Sequence, residues 1–152
     1  ADALFLDRMT LGKKVNRFYD TQYNMPPAQD ADSAWYGIPE AHKLSSIYCA
    51  MALPLRQECV SAADDAMAIC EVEHRRWMMS CLLMGYMPFN LSESERVRAD
   101  KQRFKEEKNN YWHADIAPFH DLDDFEKSKD LLFVENSGNI ISVERTSIDW
   151  QS

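Results

Sequence analysis

The run Cys70-Glu71-Val72-Glu73-His74-Arg75-Arg76-Trp77-Met78-Met79-Ser80-Cys81-Leu82-Leu83-Met84-Gly85-Tyr86-Met87-Pro88 decides the fold class. Nothing before Gly85 breaks a helix, and steps of three and four put Cys70, Glu73, Trp77, Cys81 and Met84 on one face. Gly85 and Pro88 then stop the helix, and Asp64-Asp65 place carboxylates at the positive end of its dipole, so the spacing predicts a long helix over 63–87. Glu73 falls among apolar neighbours on that face. A buried carboxylate needs a partner, and His74, Arg76 or a base from elsewhere in the chain are the candidates.

Working outward, Leu4, Phe5, Met9, Leu11, Val15, Phe18 and Tyr19 recur at helical spacing and predict a first helix over 3–22. Residues 24–37, with Pro26-Pro27 and Gly37, read as a loop. Pro39 opens a second helix, which Pro54 should kink or shorten. Residues 92–110 carry six basic and five acidic side chains with high helical propensity but almost no apolar stripe, which predicts an exposed charged insertion, either a solvated helix or a mobile segment. Residues 111–122 read as an extended loop, Asp123-Asp124 cap a final helix interrupted at Asn136 and Gly138, and 139–150 fit a helical turn or a short strand equally. Val15–Tyr19 line up with Glu73–Trp77, and Ile38–Ser45 with Leu122–Lys129, an internal repeat of helix–loop–helix type. The expected architecture is mainly α, two pseudo-symmetric helix–loop–helix halves (about 3–60 and 61–152) sharing one core, with short strands.

The chain has 152 residues, a formal net charge of −8 and 45% hydrophobic residues, enough for one domain with a core of its own. The acidic balance opposes nucleic-acid binding, which needs a basic face. Its four glycines form neither a dinucleotide loop nor a P-loop, and no G-x-S-x-G or H-E-x-x-H motif is present. Cys49, Cys59, Cys70 and Cys81 contain no C-x-x-C pair, so they read as reduced core thiols of a cytoplasmic protein. No apolar run reaches the ~18–20 residues of a membrane span. The start, without Met or a signal pattern, reads as that of a fragment cut from a longer protein.

Chemistry-bearing residues concentrate in Glu73, His74, Arg76 and Trp77, with His113 following Tyr111-Trp112. Three readings stand for that set: a core network, a ligand pocket offering an aromatic face, a cation and hydrogen-bond partners, or a small hydrolase using Glu73 and His74. Glu71-x-x-His74 has di-iron spacing, but a second copy is missing, so neither metal nor cofactor is expected. His42 and His120 lack paired ligand spacing, Met78-Met79, Met84 and Met87 read as core filler, and His113 is a candidate to pin the loop that follows it.

Glu73-His74-x-Arg76-Trp77 followed by Leu82-Leu83-x-Gly85-Tyr86 resembles the first signature of the ryanodine-receptor repeat (RyR) domain, E-H-x-R-W then L-L-x-G-W, with Tyr86 at the last position. His113-x-x-Ile116-Ala117-Pro118-Phe119-His120-Asp121-Leu122 and Glu126-Lys127-Ser128-Lys129-Asp130 are similar to the second. Trp35, Ile38-Pro39-Glu40, Ser45-Ser46 and Leu53-Pro54 resemble the segment preceding this domain in bacterial proteins. The likeness spans about residues 3–145. It implies a helical module of two related halves without enzymatic activity, the C-terminal part of a longer chain that carries a nucleotide-binding domain of the potassium-transport regulator type. The function expected is regulatory or ligand-sensing, with a small, nucleotide-like anionic ligand between the halves. The alternative is a structural or protein-interaction domain with no small ligand.

Overall fold

The computed structural model describes residues 2–62 and 66–142, and among these it holds seven α-helices, one 3-10 turn and two short strands. The chain is mainly α, as the spacing of its apolar residues requires. The chain divides into two compact units, one formed by Ala1–Asp64 with Phe133–Ser152 and the other by Asp65–Leu132.

The first unit contains α1 (Asp2–Tyr23), α2 (Ala31–Tyr36) and α3 (Glu40–Ala62). Its core gathers Val15, Cys49, Ala50, Leu53, Phe133 and Ile140, with Leu11, Phe18 and Tyr19 packed against it. Gly12 sets the close approach of α1 to α3. A Cβ there would sit 2.9 Å from Cγ1 of Ile47. One expectation fails in this unit, and of the two effects expected of Pro54 the shortening does not occur. The 24–37 loop contains α2, because Asp30 caps it by accepting from the Ser33 amide, and this seats Trp35 in the interior. Pro54 does not shorten α3, which continues to Ala62.

The second unit runs α4 (Ala66–Leu83), β1 (Met87–Pro88), α5 (Leu91–Ala99), α6 (Lys101–Asn109) and β2 (Trp112–His113), then a 3-10 turn (Phe119–Asp121). α7 (Asp124–Ser142) starts here, its first turn capped by the Asp123 carboxylate on the Glu126 amide. The strands pair in parallel, Met87 with Trp112 and Pro88 with His113. Gly85, at φ +91, turns the chain out of α4, a conformation that costs glycine little. The start of the expected 63–87 helix lies outside the described residues, as does the chain after Ser142; up to that point α7 runs through Asn136 and Gly138 without the expected break.

The charged segment 92–110 is helical, one of the two forms expected of it, and departs from expectation in its packing. It forms two helices, capped by Asn90 on the Glu93 amide and by Asp100 on the amides of Gln102 and Arg103. Val97 and Ser94 are wholly buried, so α5 packs where exposure was expected, while α6 buries no residue. Arg98 adds hydrogen bonds to the carbonyls of Ala114 and Asp121, 3.3 and 3.2 Å away. A single apolar position per turn is too little to register as a stripe, yet it holds the helix when an arginine fastens the neighbouring loop.

Candidate functional site

α4 carries four of the five candidate residues, and β2 brings the fifth. Glu73, His74, Arg76, Trp77 and His113 all belong to the unit Asp65–Leu132. Cys70, Glu73 and Cys81 are buried as the helical face requires, while Trp77 and Met84 are half-buried.

The partner of Glu73 is Arg76, one turn along the same helix. Nε donates to Oε2 at 2.9 Å and Nη2 to Oε1 at 2.7 Å, a fork that covers both carboxylate oxygens. The carboxylate is deeply buried, whereas Arg76 keeps about a fifth of its side chain accessible (4% against 21%).

His74 faces an acceptor at each ring nitrogen. Nε2 lies 2.9 Å from the Ala117 carbonyl, and Nδ1 lies 3.4 Å from Oδ2 of Asp130. Both can be served only if the ring carries both protons. Burial opposes that charge, but the hydrogen bond to Asp130 and the Ala117 carbonyl outweigh it and hold the imidazole above its usual range. Trp77 stacks on this ring with centroids 5.4 Å apart, and Phe119 lies 5.8 Å away. It is therefore His74 that ties the 113–122 segment to α4.

His113 sits edge-on to three aromatic rings, Trp77 at 5.0 Å, Phe104 at 5.3 Å and Tyr86 at 5.8 Å. Its Nδ1 accepts from the Asp115 amide at 3.2 Å, which fixes the turn after β2. The expected extended loop is thus a compact segment, with Ala114, Asp115, Ile116, Ala117 and Phe119 all buried.

Sequence reasoning missed Asp130, Asp115 and Lys108. Asp115 is buried, Oδ2 lies 3.9 Å from Nδ1 of His113, and Oδ1 finds no hydrogen-bond partner among the described residues. Burial first, then the nearby Glu126, pushes its carboxyl up to about 6. Burial likewise lowers the Lys108 amine. The Cys81 thiol, desolvated, is pushed up to about 12. Such a thiol is no nucleophile. Only the position of Asp130 in the second signature hinted at its role; buried Asp115 and half-buried Lys108 gave no signal, because their desolvation depends on what packs around them and not on a local pattern.

Among the described residues no group of three or more metal-ligating side chains gathers, and no helix is long and apolar enough to cross a membrane. Comparison with protein-family models, with characterised proteins and with solved structures finds no match.

Proposed function

We propose that this chain is a non-catalytic regulatory or ligand-sensing module of a cytoplasmic protein. The observation that carries this reading is the internal pairing of its most reactive-looking groups. Both oxygens of Glu73 are engaged by Arg76, and both nitrogens of His74 face acceptors. A general base needs an accessible lone pair, and a nucleophile needs a depressed pKa. The resemblance to the RyR repeat supports the same reading and favours a nucleotide-binding domain elsewhere in a longer chain.

In this reading the cluster divides by exposure. Glu73, His74 and His113 are buried and hold the scaffold, whereas Arg76, on Glu73, and Trp77, on His74, are half-buried and are the members of the set that a ligand can reach. A guanidinium and an indole suit a planar anion, bound by ion pairing and stacking.

The test is thermal shift with AMP and ADP on the wild type and on Arg76→Lys, which keeps a charge for Glu73 but removes the fork. A saturable rise in melting temperature that weakens in Arg76→Lys is the expected result. A rise unchanged by the substitution would move the ligand elsewhere, and no response to any nucleotide would overturn the sensing role. The second reading, a protein-interaction domain without a small ligand, is favoured by one feature. Leu44, Tyr48, Met51 and Leu55 are exposed along one side of α3 at steps of three and four.

A further inference from the structure

The first unit contains a cavity of about 210 Å³, separate from the α4 cluster and lined by α1 and Asn24, by Ala34 of α2 and by Ile38 and His42 around the start of α3. Two of its lining groups are one turn apart on the same helix, Asn16 and Asp20. Asn16 Nδ2 is buried and donates to nothing among the described residues. Leaving a buried amide donor unsatisfied is unfavourable, so it marks a place where an acceptor belongs.

Asp20 supplies the complementary half. Its carboxylate is buried and receives three donors, Arg17 at 2.7 Å and the Ala28 amide at 2.9 Å on Oδ2, and Asn24 at 2.9 Å on Oδ1. A carboxylate offers about four acceptor positions. One position on Oδ1 therefore remains. The hydrogen bond from Asn24 foremost, with those from Ala28 and Arg17, holds the acid below its ordinary range, so it stays ionised.

Among the described lining residues there is no lysine or arginine, and the guanidinium of Arg17 is committed to Asp20 and to the carbonyls of Ala28 and Gln29. An anion entering here meets a fixed negative charge. The apolar contribution comes from a column of rings: Phe133 stacks on Tyr19 at 5.4 Å and Tyr19 on Tyr23 at 6.1 Å, and Tyr23 lines the cavity. The volume lies below the ~300–1,000 Å³ of pockets for drug-sized ligands, which limits the occupant to a single ring.

We propose that this cavity binds a small uncharged planar amide, a carboxamide or a ring lactam, whose carbonyl accepts from Asn16 Nδ2 and whose N–H donates to Asp20 Oδ1. The site selects against carboxylates, in contrast to the anion preference assigned to Arg76 and Trp77. Its occupancy does not depend on that assignment.

Benzamide and benzoate differ only in the group that the proposal discriminates, so they are the probes. Titration of the isotope-labelled chain followed by NMR should show benzamide shifting the Asn16 side-chain amide and the Tyr23 ring in a saturable way. Benzoate should bind at least about tenfold more weakly, given a like charge close to Asp20. Asn16→Ala, a change that favours the helix, should abolish the benzamide response without lowering the melting temperature. Asn16→Asp, checked for folding by the same spectra, should abolish it too. Equal binding of the two probes, a response that survives Asn16→Ala, or no benzamide response in the wild type would overturn the proposal. The last result would mean that water alone fills the cavity.

Discussion

The Glu73–Arg76 fork shows how one residue pair settles what a sequence can only pose. The apolar face of α4 requires Glu73 to be buried, and charge balance requires a partner within reach; three candidates fitted, and the side-chain geometry selects the one at i+3. His74, adjacent in sequence but a hundred degrees around the helix, meets Asp130 and Ala117 instead. These last two partners lie 56 and 43 residues away, a separation that local periodicity does not encode. Arg76→Gln strands a carboxylate whose side chain is only 4% exposed, so we expect a loss on the order of 3–5 kcal/mol. The double variant Glu73→Gln/Arg76→Gln removes the charge along with its partner and should recover most of that loss. Urea unfolding of both variants checks this through the midpoint at constant slope. A single-variant loss under about 1 kcal/mol would show that water reaches Glu73 easily.

At the scale of elements, α5 tests how little apolar surface a charged helix needs. Val97 is its one fully buried hydrophobe, and Arg98 links the helix to two carbonyls of the 113–122 segment. We expect Val97→Ala to cost about 2 kcal/mol by lost burial and a cavity, and Arg98→Ala about 1–3 kcal/mol by two orphaned carbonyls. Deleting 92–110 should therefore unfold the second unit, which circular dichroism and the loss of dispersed NMR signals would report. Retention of a native spectrum would restore the insertion reading. Gly85→Ala, at φ +91, should cost about 1 kcal/mol by strain alone, since nothing lies within 4 Å of the added carbon. The long amphipathic helices, the stop at Gly85 and the cap at Asp123 were legible in the sequence because each is a local pattern. α2 was not, nor were the division of 92–110 into two helices and the packing of α5, although the caps Asp30, Asn90 and Asp100 stood in plain view. A cap announces a helix only when an apolar stripe follows it, and α2 and α5 bury two residues each while α6 buries none.

For the molecule as a whole, Asp115 and His74 pull the pH dependence of stability in one direction, and the lowered amine of Lys108 pulls the other way. The Asp115 carboxyl titrates near 6 in the fold against 3.8 in the open chain, so the folded state binds the extra proton. Stability from that group is fully present below pH 3.8 and is lost as pH rises through about 6, a difference of at most about 3 kcal/mol. His74 acts in the same sense at higher pH, since its folded pKa is raised from 6.5 and its stabilisation disappears as pH climbs through that raised value. Asp20 and Asp30 act oppositely. Hydrogen bonds, chiefly from Asn24 to Asp20 and from the Ser33 amide to Asp30, lower their pKa values, and what they contribute is lost only as pH falls through them. A net charge of −8 at pH 7 adds self-repulsion, which eases as carboxylates protonate. The melting temperature should therefore peak on the acid side, at about pH 4–5, and decline towards pH 8, at roughly 2–4 °C per kcal/mol for a chain of this size. That peak falls close to the isoelectric point of about 4.9, where solubility is lowest, so the scan has to be run dilute and at fixed ionic strength. Two substitutions separate the contributions. Asp115→Asn should flatten the profile between pH 4 and about 6 and leave the variant more stable than the wild type at neutral pH, because the unpartnered Oδ1 no longer carries charge in the interior. His74→Gln should lower stability overall but flatten the profile above pH 6.5, where the wild type is giving up its buried ion pair with Asp130. A wild-type melting temperature that rises from pH 5 to 8 would mean that neither proton is held by the fold.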